Sequence, residues 1–205
     1  MSEFAGSFLQ ALWIGLAIAA PVGPIGLLVI QRTLDHGRVV GLATGLGAAV
    51  ADACYGAVGA FGVAAVMSAL QAARVPLALA GGALLLWLAW RSWNAVPAEH
   101  AARVSAAPGL GASFAATFVL TLSNPATILS FIAIFGAMGA RHVQPLAPVP
   151  LVLGVLLGSA LWWLLLSATV ARLRHHVGVQ ARRWVGRGSA VLLSAFALWQ
   201  WAGLR

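Results

Sequence analysis

Six long apolar segments constrain the fold of this chain more than any other feature of the sequence. They cover roughly residues 7–31, 39–67, 75–94, 111–138, 148–171 and 187–203. About twenty apolar residues cross the hydrocarbon core of a bilayer, so each segment can form one membrane-spanning helix. Only 8% of the residues are charged, whereas about a quarter are charged in a soluble domain. The sequence therefore predicts an all-α integral membrane protein, with six transmembrane helices in a single domain over residues 1–205 that is surrounded by lipid bilayer.

The arginines predict how these helices are oriented. All 12 basic residues are arginine, and nine of them lie in the connectors after the first, third and fifth segments. Cytoplasmic loops are enriched in basic residues, so we expect those connectors in the cytoplasm and both termini in the periplasm. Attraction of these arginines to the anionic inner leaflet accounts for the formal net charge of +8. We therefore expect no nucleic acid partner.

The cysteine and histidine residues of the chain disfavour redox, metal-binding and hydrolytic functions. A single cysteine, Cys54, forms no intrachain disulfide, dithiol pair or thiolate cluster, and we expect it to be a packing residue. All five histidines lie in predicted connectors, which argues against an embedded hydrolase. We therefore predict no catalytic residue, cofactor or metal site. The first residues lack the basic region of a signal peptide, so we expect the first apolar segment to be retained.

Prolines interrupt two of the apolar segments. The first contains Ala20-Pro21-Val22-Gly23-Pro24 and the fourth contains Ser123-Asn124-Pro125. Proline removes a helical hydrogen bond and disfavours helical geometry in the residue before it. Inside a bilayer such breaks persist only where protein or a water-filled cavity satisfies the freed backbone. Broken helices in corresponding positions of two halves indicate the binding site of a transporter, whereas a single break would more simply be a packed kink.

The breaks supply both kinds of backbone group that a zwitterion needs. We expect free carbonyls at Ala17, Ala20 and Thr121, which would accept hydrogen bonds from an ammonium group. The half-helices that follow begin near Ile25 and near Ala126, and the first amides of a helix bind anions. Gly23 and Gly26 would allow close approach to the backbone. Further polar groups at the fourth-segment break are Thr121, Ser123, Asn124, Thr127 and Ser130.

Asp52 is the one acidic residue deep in a predicted span. A carboxylate at the centre of a bilayer costs about 3 kcal/mol on insertion scales. Its surroundings favour the protonated form, which suits a proton carrier, although a protonated Asp52 that bonds a freed carbonyl is an alternative. Tyr55 lies on the same helix face and would bond either the substrate or an internal group. The predicted substrate-binding residues are Pro21, Gly23, Pro24, Asp52, Tyr55, Thr121, Asn124, Pro125 and Thr127.

The six segments divide into two sets of three, over about 7–94 and 111–203, with a connector at 95–110. Three spans per half is an odd number, so related halves would be inverted repeats. Each half opens with a broken segment, and each second segment has a Gly-xxx-Gly step, at Gly41/Gly45 and Gly154/Gly158. Such faces allow helices to pack closely, within the chain or in a homo-oligomer. Glycine is common in this chain, so chance is the alternative to a repeat.

These motifs together resemble those of the LysE/RhtB family of bacterial amino-acid exporters. Pro21-Val22-Gly23-Pro24 is similar to the family's first-span Pro-Gly-Pro element, Asp52 to its second-span acid, and Asn124-Pro125 to its fourth-span Asn-Pro. The resemblance covers the whole chain. It implies a secondary transporter that exports amino acids across the inner membrane and is coupled to the ion gradient. We expect the coupling to be proton antiport, with Asp52 as the proton carrier.

The sequence departs from the family pattern at two positions. Val22 is inserted in the Pro-Gly-Pro element, and Ala126 stands where many members have lysine. Without that lysine, carboxylate binding would fall to backbone amides. The main alternative is a divalent-cation exporter of similar architecture, which would need several oxygen ligands. A membrane enzyme or electron carrier and a purely structural membrane subunit are the further alternatives.

Overall fold

The computed structural model describes residues 2–21, 23–61, 72–94, 109–140, 148–174 and 178–204. Within these residues the regular structure is entirely helical. The eight helices are α1 (Ser2–Ala19), α2 (Pro24–His36), α3 (Arg38–Ala60), α4 (Arg74–Trp93), α5 (Leu110–Leu122), α6 (Pro125–Ala140), α7 (Pro148–Leu173) and α8 (Val179–Ala202).

The prolines interrupt the helices where the sequence predicted breaks. Helix α1 ends at Ala19 and α2 begins at Pro24, and the two axes are bent by 78°. Helix α5 ends at Leu122 and α6 begins at Pro125, with a bend of 61°. Proline is well suited to the first position of a helix, where no backbone donor is needed. Pro24 and Pro125 therefore each begin the second half-helix of a bent pair.

The number of spans depends on how the bent pairs are counted. By length and composition α3, α4 and α7 can each cross a membrane, and each bent pair qualifies when it is taken as one span. This gives between three and five candidate spans within the described residues. Helix α8, which carries Arg183 and Arg187 in its first half, is not among them. The six-span arrangement stays a prediction, and residues 62–67 and 95–108 of its second span and connector lie outside the described residues.

The helices pack in pairs around a central contact between α3 and α7. Helix α1 lies along α7, α5 lies along α3, and α4 packs against α8. Small residues permit the close approaches, because a Cβ built on Gly158 would overlap the carbonyl of Leu12, and one on Gly47 would overlap the carbonyl of Phe114. The Gly-xxx-Gly step of α7 thus seats α1 directly on its backbone.

The outer surface is rich in large apolar side chains. Trp13, Val119 and Leu165 are each more than half exposed, and they belong to three different helices. Exposed apolar surface of this extent is unusual in soluble monomers. It fits a protein whose outer face meets lipid.

Candidate functional site

The two helix breaks lie beside a common cavity of about 240 Å³. Its wall is built from the end of α1, the start of α2, the end of α5 and the start of α6, together with Asp52 from α3. Seven of the nine predicted site residues line it. They are Pro21, Gly23, Pro24, Asp52, Thr121, Asn124 and Thr127.

Two aromatic side chains complete the cavity wall. Trp163 of α7 and Phe196 of α8 both line it. A deep tryptophan in the fifth segment can be read from the sequence as either packing or pocket. No local signal marks Phe196, because its position depends on how α8 docks against the breaks.

The start of α2 has no capping side chain. Gly23 occupies the N-cap position with extended backbone, and the first backbone bond of the helix is donated by the Leu27 amide to the Gly23 carbonyl, at 3.1 Å. The amides of Ile25 and Gly26 precede that bond. First-turn amides have no partner within their own helix, so this end of α2 presents donors beside the cavity.

The start of α6 is capped by its own sequence. The Ala126 amide donates to Oδ1 of Asn124 at 3.1 Å, and the Ile128 amide donates to the Asn124 carbonyl at 3.2 Å. The Asn124 amide in turn donates to the Thr121 carbonyl at 3.2 Å, which is one of the acceptors that the sequence predicted to be free. Asn124 therefore uses its side-chain oxygen as an N-cap.

Asp52 is buried and hydrogen-bonded to a neighbouring helix. Its carboxylate accepts a bond of 2.8 Å from Oγ of Ser159, and that oxygen accepts one of 3.1 Å from Nε1 of Trp163. Asp52 has 3% of its surface exposed and Ser159 none. The chain of bonds joins α3 to α7 at their central contact. Sequence reasoning did not identify Ser159, and its only local signal is a polar residue directly after the Gly-xxx-Gly step.

Tyr55 lies outside the cavity wall. Its hydroxyl donates to the Leu122 carbonyl at 2.6 Å, and its ring stacks on Phe131 with centroids 5.3 Å apart. Leu122 is the last residue of α5, so its carbonyl belongs to the broken part of the helix. Tyr55 makes the internal hydrogen bond that was the alternative to a substrate contact. Pro125 begins α6, and its side chain lies outside the described residues.

Thr121 carries a buried hydroxyl without a hydrogen-bond partner among the described residues. Only 2% of the residue is exposed, and it lines the cavity. A buried hydroxyl that lacks a partner costs about 1–3 kcal/mol. This group is therefore a ready donor or acceptor for a molecule in the cavity.

A larger cavity of about 600 Å³ adjoins the site between α6 and α8. Asn124, Ala126 and Phe196 line both spaces. The rest of its wall comes from the first two turns of α6 and the last turns of α8, including Trp199 and Leu204. The smaller cavity thus continues toward the end of α8 at which the chain terminates.

The far end of α2 is fixed by polar contacts to three other helices. Nη1 of Arg32 donates to Oγ1 of Thr44 and to the carbonyl of Ser113, each at 3.2 Å. Oγ of Ser92 donates to Oε1 of Gln31 at 2.8 Å. Helix α2 is therefore tied to α3, α4 and α5 at the end away from the cavity.

Paired broken helices beside a common cavity, within an apolar helical bundle, are typical of a membrane transporter. Comparison with protein families agrees, because the family of LysE type translocators matches residues 16–199. This chain belongs to the LysE type translocator family. Members of that family are transporters rather than enzymes.

The chain is similar to proteins of three different bacteria. "Uncharacterized membrane protein YahN" of Escherichia coli is 30% identical over 83% of this chain and 78% of that protein. "Putative amino acid efflux protein YcgF" of Bacillus subtilis is 27% identical over 82% of each chain. "Chemotactic transduction protein ChpE" of Pseudomonas aeruginosa is 29% identical over 93% of this chain and 95% of that protein. No solved structure matches the chain.

Proposed function

We propose that this protein is a secondary transporter that exports amino acids or close derivatives from the cytoplasm across the inner membrane, in exchange for protons. The observation that carries the proposal is the cavity at the paired breaks, where uncapped helix amides and one buried carboxylate line the same space. Amides bind a carboxylate and a carboxylate binds an ammonium, so the lining complements a zwitterion. The printed name of the Bacillus subtilis relative supports the same substrate class.

Asp52 is the proposed proton carrier. It lines the cavity, it is nearly fully buried, and its recorded side-chain partner is the neutral hydroxyl of Ser159. Buried ionisable groups in membrane transporters commonly mark proton relays. A proton on Asp52 would weaken its attraction for an ammonium, so proton entry would release the substrate on the outer side.

Packing between the helices supports an inverted repeat with halves at about 7–94 and 111–203. In such a repeat α1 corresponds to α5, α3 to α7 and α4 to α8. The pairing of α1 with α7 then has its counterpart in that of α5 with α3, while the pairs α3–α7 and α4–α8 each map onto themselves. Alternating access would follow from one half rocking against the other.

The predicted orientation assigns a direction to the two ends of the site. With both termini periplasmic, the larger cavity between α6 and α8 lies toward the periplasm, and the Arg32 contacts lie toward the cytoplasm. We therefore interpret this arrangement as the outward-facing state. Substrate would leave through the space between α6 and α8.

The test is efflux from cells that have been loaded with a mixture of amino acids and dipeptides. We expect cells that express the protein to lose one amino acid, or a small group of them, faster than matched cells that carry an empty vector. Collapse of the proton gradient should remove the difference. If divalent cations leave and no amino acid or dipeptide does, the protein is a cation exporter and the substrate class proposed here is wrong.

A further inference from the structure

We propose that the start of α2, and not the start of α6, binds the carboxylate of the transported molecule, with the hydroxyl of Thr121 as a second donor. The inference rests on the proposed function and assigns a chemical group to each part of the cavity. It makes the preferred substrate an α-amino acid with an uncharged side chain.

The two helix starts have the same register but differ in capping. Each begins with an N-cap residue followed by proline, namely Gly23-Pro24 in α2 and Asn124-Pro125 in α6. Oδ1 of Asn124 accepts from the Ala126 amide, so the second-position amide of α6 is occupied. Gly23 has no side chain, and the equivalent amide in α2, that of Ile25, has no capping acceptor. An anion therefore finds two uncapped amides at α2, those of Ile25 and Gly26, in the same first turn.

Thr121 is the independent observation that points to a ligand. Thr121 lines the cavity together with Ile25 and Gly26, and its buried hydroxyl has no partner among the described residues. The end of α5 also lies close to the start of α2, since Pro24 and Ile25 share a small space with Ser123 and Asn124. A carboxylate bound to the α2 amides would give the Thr121 hydroxyl the acceptor that the protein does not provide.

The other residues that line the cavity indicate which side chain the bound amino acid carries. A helix start favours negative charge, and Asp52 is the one acidic residue among the described residues of the wall. If the α-ammonium binds Asp52, the described part of the wall offers no second carboxylate for a basic side chain and no arginine for an acidic one. The side chain would instead face Trp163 and Phe196, which favours an uncharged group.

Gly23 allows a direct test, because the cap that α6 has can be added to α2. A Cβ built at Gly23 meets nothing within 4 Å, and its φ of −103° is ordinary for other residues. The variant Gly23→Asn would place an acceptor where Asn124 has one and would occupy the Ile25 amide. Gly23→Ala is the matched comparison, since it adds the Cβ without an acceptor.

The experiment measures binding to purified full-length protein in nanodiscs, by thermal stabilisation and by equilibrium titration. The probes are the twenty L-amino acids and their carboxamides, which keep the ammonium and lose the negative charge. We expect an uncharged amino acid to bind about tenfold more tightly than its carboxamide, the size of one charge-assisted contact. Gly23→Asn should bind the amino acid about tenfold more weakly than Gly23→Ala does, with less than about a twofold difference for the carboxamide.

Thr121→Val keeps the test decisive if Gly23→Asn does not fold. It should weaken binding of the amino acid about fivefold and leave that of the carboxamide nearly unchanged. If amino acids bind, but each binds as tightly as its own carboxamide and no variant changes that ratio, the carboxylate site at α2 is wrong. The proposed function stands in that case. If no amino acid binds or stabilises the protein, the proposed function fails and this inference fails with it.

Discussion

Asp52 is the residue on which the proposed coupling depends. Its carboxylate is held by Ser159, which Trp163 also bonds, so the group that would take the proton is linked to both central helices. Protonation adds an O–H donor to a group that otherwise only accepts hydrogen bonds. A proton on the oxygen that faces Ser159 would make that hydroxyl reorient, and the contact between α3 and α7 would then respond to the proton.

The variant Asp52→Asn tests this role at the scale of the single residue. An amide has a similar shape but does not titrate, so we expect efflux driven by the proton gradient to fall about tenfold or more. Efflux is measured from loaded vesicles with and without an imposed pH gradient. Asp52→Glu is the matched comparison, because it keeps a titratable carboxyl group at the same position, and it should retain more gradient-driven efflux than Asp52→Asn does. Normal gradient-driven efflux in Asp52→Asn would remove Asp52 from the coupling role.

Residues near the breaks could be predicted because the rules that identify them are local. A proline acts within four residues, so the breaks and the helix starts at Pro24 and Pro125 follow directly from the sequence. A buried acid in an apolar segment is also visible without a structure. The partner of that acid is not, since Ser159 lies 107 positions along the chain. Tyr55 shares a helix face with Asp52, yet it bonds Leu122, because the broken end of α5 leaves a nearer carbonyl unpaired.

At the scale of the element, glycines determine how closely the helices approach. The face of α7 that contains Gly154 and Gly158 lies against the backbone of α1 from Phe8 to Leu12. The sequence indicated this small-residue face but not which helix it would meet. The step Gly41/Gly45 looks equivalent, yet Gly41 meets Thr33 and Gly45 meets Trp163. Two glycine pairs with the same spacing thus make different contacts, because the helix that each pair meets depends on how all the helices pack.

The variant Gly158→Val tests the contact between α1 and α7. A Cβ at this position overlaps the Leu12 carbonyl, and overpacking a close contact costs about 1–3 kcal/mol. We expect the melting temperature of the purified protein to fall by about 3–10 °C. Gly111→Val is the control, since a Cβ there meets nothing within 4 Å. A similar loss in both variants would mean that helix propensity, rather than the contact with α1, determines the effect.

The two proposed halves share their main helix pairings but differ in how their second half-helices are held. Helix α2 packs against α3, α7 and α8, and its far end is tied by Gln31 and Arg32. Helix α6 instead borders the larger cavity together with α8. In an inverted repeat, such a difference between equivalent elements is what makes one side closed and the other open. Sequence comparison of the proposed halves would not reveal this difference, because it depends on which distant helices pack against α2 and α6.

We expect Arg32 to hold the cytoplasmic side closed. Arg32→Gln would lose the bonds to Thr44 and to the Ser113 carbonyl, and each bond to a charged group contributes about 1.5–3 kcal/mol. The population should therefore shift about tenfold or more toward inward-facing states. The measurement uses a cysteine at the exposed cavity residue Ser130, in a Cys54→Ser background, and a membrane-impermeant thiol reagent that is applied to either side.

In the Ser130→Cys protein we expect labelling mainly from the periplasmic side. Adding Arg32→Gln should raise labelling from the cytoplasmic side and lower it from the periplasm. Arg38→Gln is the matched control, because Arg38 is an exposed arginine in the same predicted connector, and its loss should leave the labelling pattern as it was. Predominant labelling from the cytoplasm before any change at Arg32 would contradict our interpretation of this arrangement as the outward-facing state. An unchanged pattern after Arg32→Gln would instead leave that interpretation intact and show that packing of α2, rather than its polar contacts, closes the cytoplasmic end.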